Sequence, residues 1–269
     1  MKKTVILGCV LFAVIAATAQ QKEGKVIYER TVQVQISFAG MNEEMERMIP
    51  KTRTDKFELT FGNNQSLWRQ AEQENEDDGN FTSADGGLQI RTFSTGSGDV
   101  VYTNFDKGTK VEKRELFDKV FIIDDSTRPM KWKMTGETKT ILGHTCMKAE
   151  ATQTRKRMQM NMDNGKMERK EVNDTVLVVA WITSAIPVAA GPAEYQGQLP
   201  GLILEVDINK GQQTFKALSI SPKADIASIK EPTGKKRYTP AGFNKERDKM
   251  MSEMQQSGGG PGRVMRFSN

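Results

Sequence analysis

"KVIYERTVQVQISF", residues 25–38, puts Val26, Tyr28, Val32, Val34, Ile36 and Phe38 at every second position. A period of two is the signature of a strand with one buried face. The same pattern returns along most of the chain. "DKFELTF" (55–61), "SLWRQ" (66–70), "LQIRTFS" (88–94), "VVYTNF" (100–105) and "KVFIID" (119–124) all read as strands. Turn-forming residues separate them: Gly62-Asn63-Asn64, Gly96-Ser97-Gly98 and Asp106-Lys107-Gly108. Farther on, "RMQMNM" and "KMERKE" flank Asp163-Asn164-Gly165, and Asn-Gly is a strong hairpin signal. "TVLVVAWIT" (175–183) is apolar on both faces, as a central strand is. "LILEVDI" and "TFKALSIS" flank Lys210-Gly211 as another hairpin.

Strands at this spacing without intervening helices predict a mainly β (α+β) fold. The expected form is an antiparallel curled sheet, a half-open β-barrel with one or two short helices. No fixed repeat period is present, which argues against a propeller or solenoid. Helical spacing occurs in "MNEEMERMI" (41–49) and near the end, in "NKERDKMMSEM". "EQENEDDGNFTSADGG" (72–87) reads as a long exposed loop.

The first residues read as a secretory signal: Lys2 and Lys3, an apolar run, then Ala17-Thr18-Ala19. Cleavage after Ala19 places the protein in the periplasm or outside the cell. The expected organisation is a signal peptide over 1–19, a single β-rich domain over 20–240, and a short helix with a flexible Gly-rich tail over 241–269. No later stretch approaches the roughly 20 apolar residues that span a bilayer, so the mature chain carries no transmembrane segment. The net charge of +5 falls to +3 on cleavage. Its short basic clusters lack interleaved aromatics, which argues against nucleic acid. Only Cys146 remains after cleavage, so no intramolecular disulfide can form.

Three stretches in the second half are distinctive: "TKTILGHTCMKA", "AWITSAIPVAAGP" and "YQGQLPGLILEV". Over 139–206 they resemble the GLPGLI family of Bacteroidota, with one departure: Gln198 stands between Gly197 and Leu199. The resemblance implies a secreted or periplasmic protein of unknown function, often encoded near outer-membrane uptake systems. It brings no catalytic residues.

Pro200 fixes φ and Gly201 can adopt positive φ, so Pro200-Gly201 is expected to form a type II turn into "LILEV". Two readings follow. The turn is a corner that starts a core strand, or it is a lip over an apolar groove lined by Leu199, Pro200, Gly201, Leu202 and Trp181. The corner reading expects Leu202 and Leu204 to be buried and Glu205 to reach the surface.

His144 and Cys146 could form a dyad on one strand face, but a buried packing cysteine is the commoner case. Met158, Met160 and Met162 alternate along one strand, and thioethers select soft ions such as Cu(I). No cofactor motif and no nucleophile elbow are present. The sequence therefore reads as a non-enzymatic protein binding an apolar small molecule, a lipid or an extended partner peptide in a concave sheet face. The alternatives are a Met-cluster Cu(I) protein and a hydrolase with an unrecognised site.

Overall fold

The computed structural model describes residues 21–34, 50–71, 80–82, 89–91, 98–116, 118–163 and 166–257, with backbone only for 80–82, 89–91, 156–163, 166–171 and 254–257. The signal-peptide expectation, the helical reading of 41–49 and the Gly-rich tail lie outside the described residues.

Fourteen strands are described: β1 (Gly24–Gln33), β2 (Thr52–Gly62), β3 (Gln65–Gln70), β4 (Asn80–Thr82), β5 (Gln89–Arg91), β6 (Val100–Asn104), β7 (Thr109–Leu116), β8 (Lys119–Ser126), β9 (Lys133–Ile141), β10 (His144–Asp163), β11 (Lys166–Thr183), β12 (Leu202–Ile208), β13 (Gln213–Ser221) and β14 (Arg237–Tyr238). One helix follows, α1 (Pro240–Ser257). Twelve strands form one open, curled sheet in the order β14-β8-β7-β6-β3-β2-β1-β13-β12-β11-β10-β9. All pairings are antiparallel except the two-residue parallel contact of β14 with β8. β4 and β5 form a separate small pair; β4 lies inside the stretch expected to be loop, and β5 inside the run 88–94 read as a strand.

The turns follow from local chemistry. Asn63 and Asn64 both have positive φ (52° and 57°), as a two-residue hairpin turn of the I′ type requires, and Asn tolerates that region. The curl has local causes as well. Register shifts at Ile27/Tyr28, Met147/Ala149 and Trp181/Ile182 bend three strands and increase their twist.

β10 and β11 form a hairpin that outruns its neighbours. β9 pairs with β10 only over His144–Glu150, and β12 pairs with β11 only over Val178–Thr183. Beyond those points β10 and β11 continue as a two-stranded ribbon to Asp163 and Lys166.

The main core gathers Val26, Tyr28, Leu59, Phe61, Trp68, Val178, Ile182, Leu204, Val206 and Phe215. Leu67 lies between Ser66 and Trp68 and so faces the other way. It joins Tyr102, Val111 and Ile122 in a second cluster, covered by Ile226 and Ile229 of the β13–β14 connection. Helix α1 begins at Pro240, where a missing N–H costs nothing, and Thr239 caps it by accepting from Gly242 N at 3.1 Å. Its Phe243 packs on Phe121 and Ile123 of β8.

Candidate functional site

The connection from β11 to β12, residues 184–201, does not cross the surface. It folds into the main core. Ile186, Val188, Ala190, Tyr195 and Leu199 are all buried there with the sheet residues. Such a segment must satisfy its own backbone. Ile186 O accepts from Val188 N and from Leu202 N, Ala190 O accepts from Ile203 N, and Ala189 O accepts from Gly197 N. The chain thus runs alongside the start of β12 and covers it. Leu202, Ile203 and Leu204 are all buried, although alternation alone would expose one side.

Polar side chains pin this segment to elements far apart in sequence. The Tyr28 hydroxyl donates to Ile203 O at 2.6 Å. Ser66 on β3 hydrogen-bonds Gln196, whose amide donates to Ala193 O at 3.2 Å. Arg155 on β10 donates to the Tyr195 hydroxyl at 3.2 Å and pairs with Glu194 at 3.5 Å. Gln198, which stands between Gly197 and Leu199, accepts from Met130 N and from Trp132 Nε1, both at 3.1 Å, and donates to Glu194 O. It clips the segment to the β8–β9 connection. Gly197 has φ +73°, a conformation that favours glycine.

Gly201 differs from the expectation. It is not among the positive-φ glycines, so the type II turn is absent. A Cβ at Gly201 would instead lie 2.5 Å from Thr183 O. The glycine is there for close backbone approach. Gly201 N donates to Leu199 O across the exposed Pro200.

The other sequence candidates fall in separate places. Trp181 is half-buried, in register with Glu205 and Lys148, with Lys139 Nζ 4.3 Å from its ring centroid. Lys139 also pairs with Glu205 at 2.8 Å, so Glu205 is half-buried in an ion pair. Cys146 is buried, and its Sγ donates to the backbone carbonyl of His144 at 3.5 Å. Burial pushes its thiol pKa up, the opposite of what a nucleophile needs. Met158, Met160 and Met162 lie on the ribbon, at register positions facing Glu171, Arg169 and Met167.

The perturbed groups of the main core all favour their neutral forms. Burial pushes the Tyr28 phenol up, and burial reinforced by Glu194 does the same for Tyr195. Both serve as hydrogen-bonding structural groups. On the other sheet face, an open depression of about 600 Å³ is lined by Lys25, Glu58, Thr60, Arg69, Lys223, Asp225 and Ser228. Burial alone would raise the Glu58 carboxyl. Arg69 at 2.7 Å and Lys25 at 3.3 Å outweigh that and hold it below the ordinary range. This depression is polar, with three basic and two acidic side chains in its lining. Among the described residues, no group of three or more His, Cys, Asp or Glu could hold a metal ion, and no helix is long and apolar enough to cross a membrane.

A first test concerns the pin at Tyr28. Tyr28→Phe keeps the packing but strands the buried Ile203 carbonyl, and is expected to cost about 1–3 kcal/mol in a urea titration. An unchanged midpoint would show that the bond contributes nothing net.

Residues 132–205 match the model of a family described as a protein of unknown function (Porph_ging), a minority of the chain. No curated protein matches. Among solved structures, the chain is similar to PNGF-II in a C2 crystal form, at 17% identity and TM-score 0.47, covering 84% of this chain and 32% of that one. It is also similar to LprF from Mycobacterium bovis, at 12% identity and TM-score 0.29, covering 80% and 92%. The chain therefore spans about a third of the length of PNGF-II.

Proposed function

We propose that this is an exported, non-enzymatic binding protein that takes an extended partner peptide along a free sheet edge. The observation that carries this reading is the asymmetry between cavity and edge. The core beneath 199–206 holds the chain's own residues Ile186, Val188, Ala190 and Tyr195, and Leu199 and Leu202 are buried with them. β9 is the last strand of the sheet, and among the described residues nothing pairs with its outer side. The opposite edge, β8, is partly covered by β14 and α1.

An edge strand presents unpaired N–H and C=O groups, which is how sheets add a peptide strand. β9 also carries a device against pairing with another whole sheet. Thr135–Glu137 loop out at the register shift, with Gly136 at φ +83°. That leaves Thr138–Ile141 as a short straight edge suited to a peptide. Exposed Met134 and Leu142 at the ends of β9, and Met147 on the adjacent β10, supply apolar contacts. Export is supported by the basic start, the apolar run and Ala17-Thr18-Ala19.

The test combines native mass spectrometry of the protein isolated from its own compartment with amide exchange of the same sample. The expected result is a copurified polypeptide that slows exchange at 138–141 relative to the stripped protein. A retained lipid overturns the reading, and so does equal exchange at 138–141 with and without the polypeptide.

A further inference from the structure

The open depression beside the β13–β14 connection draws cations from three places in the chain. Lys25 on β1 and Arg69 on β3 come from the sheet, and Lys223 comes from the connection. Register brings the sheet residues together. Lys25 faces Thr60 and Arg69 faces Glu58 across the two edges of β2. Facing residues share a sheet face, and so do residues 58 and 60 of one strand. All four side chains line the depression, with Lys223 and Asp225 beside them.

Internal pairing does not use up this set. Glu58 alone answers both sheet cations: Arg69 donates Nε and Nη2 to its Oε1 at 3.1 and 2.7 Å, and Lys25 Nζ lies 3.3 Å from its Oε2. Arg69 keeps its Nη1 donors, and Lys25 keeps donors to spare. The other acid, Asp225, is engaged in capping the turn at Ile226–Ser228, where its Oδ1 accepts from Ala227 N at 3.1 Å. Lys223 makes no ion pair among the described residues. Thr60 is only 5% exposed, yet its hydroxyl has no hydrogen-bond partner among the described residues. Buried hydroxyls are ordinarily hydrogen-bonded, so this one calls for an explanation.

We propose that the depression binds a tetrahedral oxyanion of the phosphate class, free or as a monoester, through Lys25, Arg69, Lys223 and the Thr60 hydroxyl. A phosphoryl group presents oxygens in several directions, and here donors come from the bottom of the depression, from two strands and from the connecting loop. A carboxylate offers only two oxygens in one plane. Lysine and arginine are both established phosphate ligands by chemistry, one as a point charge and one as a fork. Three bases against two acids leave one positive charge in excess, which favours an anion over a neutral ligand. Glu58 holds the Arg69 and Lys25 side chains in place before any ligand arrives, which lowers the ordering cost of binding. A depression of about 600 Å³ leaves room for a polar body attached to the phosphoryl group. This site is independent of the peptide-edge reading and uses none of its residues.

The test is an NMR amide-shift titration of the mature chain with inorganic phosphate, against sodium chloride at the same ionic strength, repeated with glucose 6-phosphate and with acetate. Saturable shifts are expected at 58–60, 69 and 223–228, with acetate binding more weakly than phosphate. Lys223 is exposed, so Lys223→Ala leaves the fold alone, and it should weaken phosphate binding about three- to tenfold. Thr60→Val keeps the side-chain shape and a β-branched strand residue, and should weaken it about two- to tenfold. Lys216→Ala on β13, outside the depression, should change nothing. Equal affinity for the ion and the ester assigns the site to free phosphate, and tighter binding of the ester assigns it to a phosphorylated molecule. Shifts no larger than those with sodium chloride overturn the site. Unchanged affinity in both Lys223→Ala and Thr60→Val overturns it as well, and so does an equal loss in Lys216→Ala, which is the mark of general surface attraction.

Discussion

Leu204→Ala is expected to lower the unfolding free energy by about 2–5 kcal/mol, read from denaturant midpoints at constant slope. Leu204 is fully buried in the main core. Its removal loses the transfer energy of the side chain and leaves a cavity that a pinned core cannot readily collapse into. The pins are specific: Tyr28 to Ile203 O, Ser66 to Gln196, and Gln198 to the β8–β9 connection. Leu199→Gln tests the same segment from its other end. At 5% exposure Leu199 is core, so an amide placed there is desolvated without a ready partner and should also destabilise by kilocalories. If Leu199→Gln instead leaves the melting temperature unchanged and alters retention of an apolar ligand, Leu199 is a groove lip and the closed-core account is wrong.

The sheet was legible because most of its strands bury one face. Val26 and Tyr28 on β1, and Leu59 and Phe61 on β2, announce their period directly. β7 did not announce itself. "TKVEKREL" has charges where a core face would show apolar residues. Its Glu112 is buried nonetheless, held by Lys110 and Arg114 at 2.7 Å each. Burial would raise that carboxyl, but Arg114 and Lys110 outweigh it and keep it below the ordinary range. A charge ladder of this kind is visible only once the strands are paired. β14 is too short to carry any period. The folded-in segment was hidden for another reason: Ile186, Val188 and Ala190 alternate like a strand, yet their hydrogen bonds go to irregular partners. Position 198 shows the same limit. The sequence marks Gln198 as an insertion into a known pattern, and only the geometry reveals that it joins Met130 and Trp132 to the segment. The ribbon methionines were readable as alternating, but Met167 joins them only through register.

Gly201→Val is expected to be among the most disruptive single changes in the chain, for a reason that the residue's backbone angle does not supply. Two glycines flank Gln198-Leu199-Pro200, and they work by different means. Gly197 has φ +73°, which costs an L-residue about 1–2 kcal/mol, and an added Cβ would meet Thr127 Cγ2 at 3.1 Å, which a side chain can relieve. Gly201 has no positive φ, but an added Cβ would lie 2.5 Å from Thr183 O and 3.1 Å from Thr183 C. Those atoms are backbone, at the end of β11 where Thr183 registers with Leu202, so neither strand can yield without losing that pairing. Overpacking of this kind costs about 1–3 kcal/mol and sometimes more, and the β-branched methyls of valine add to it. Asparagine separates the two mechanisms because it tolerates the left-handed region better than alanine does. At 197, Gly197→Asn should be less damaging than Gly197→Ala. At 201, Gly201→Asn should be no better than Gly201→Ala, since both bring the same Cβ to the same carbonyl. Thermal melts of the four variants decide it. Relief by asparagine at 201 would mean that the backbone there is left-handed after all, and that the turn first expected from Pro200-Gly201 is the correct one.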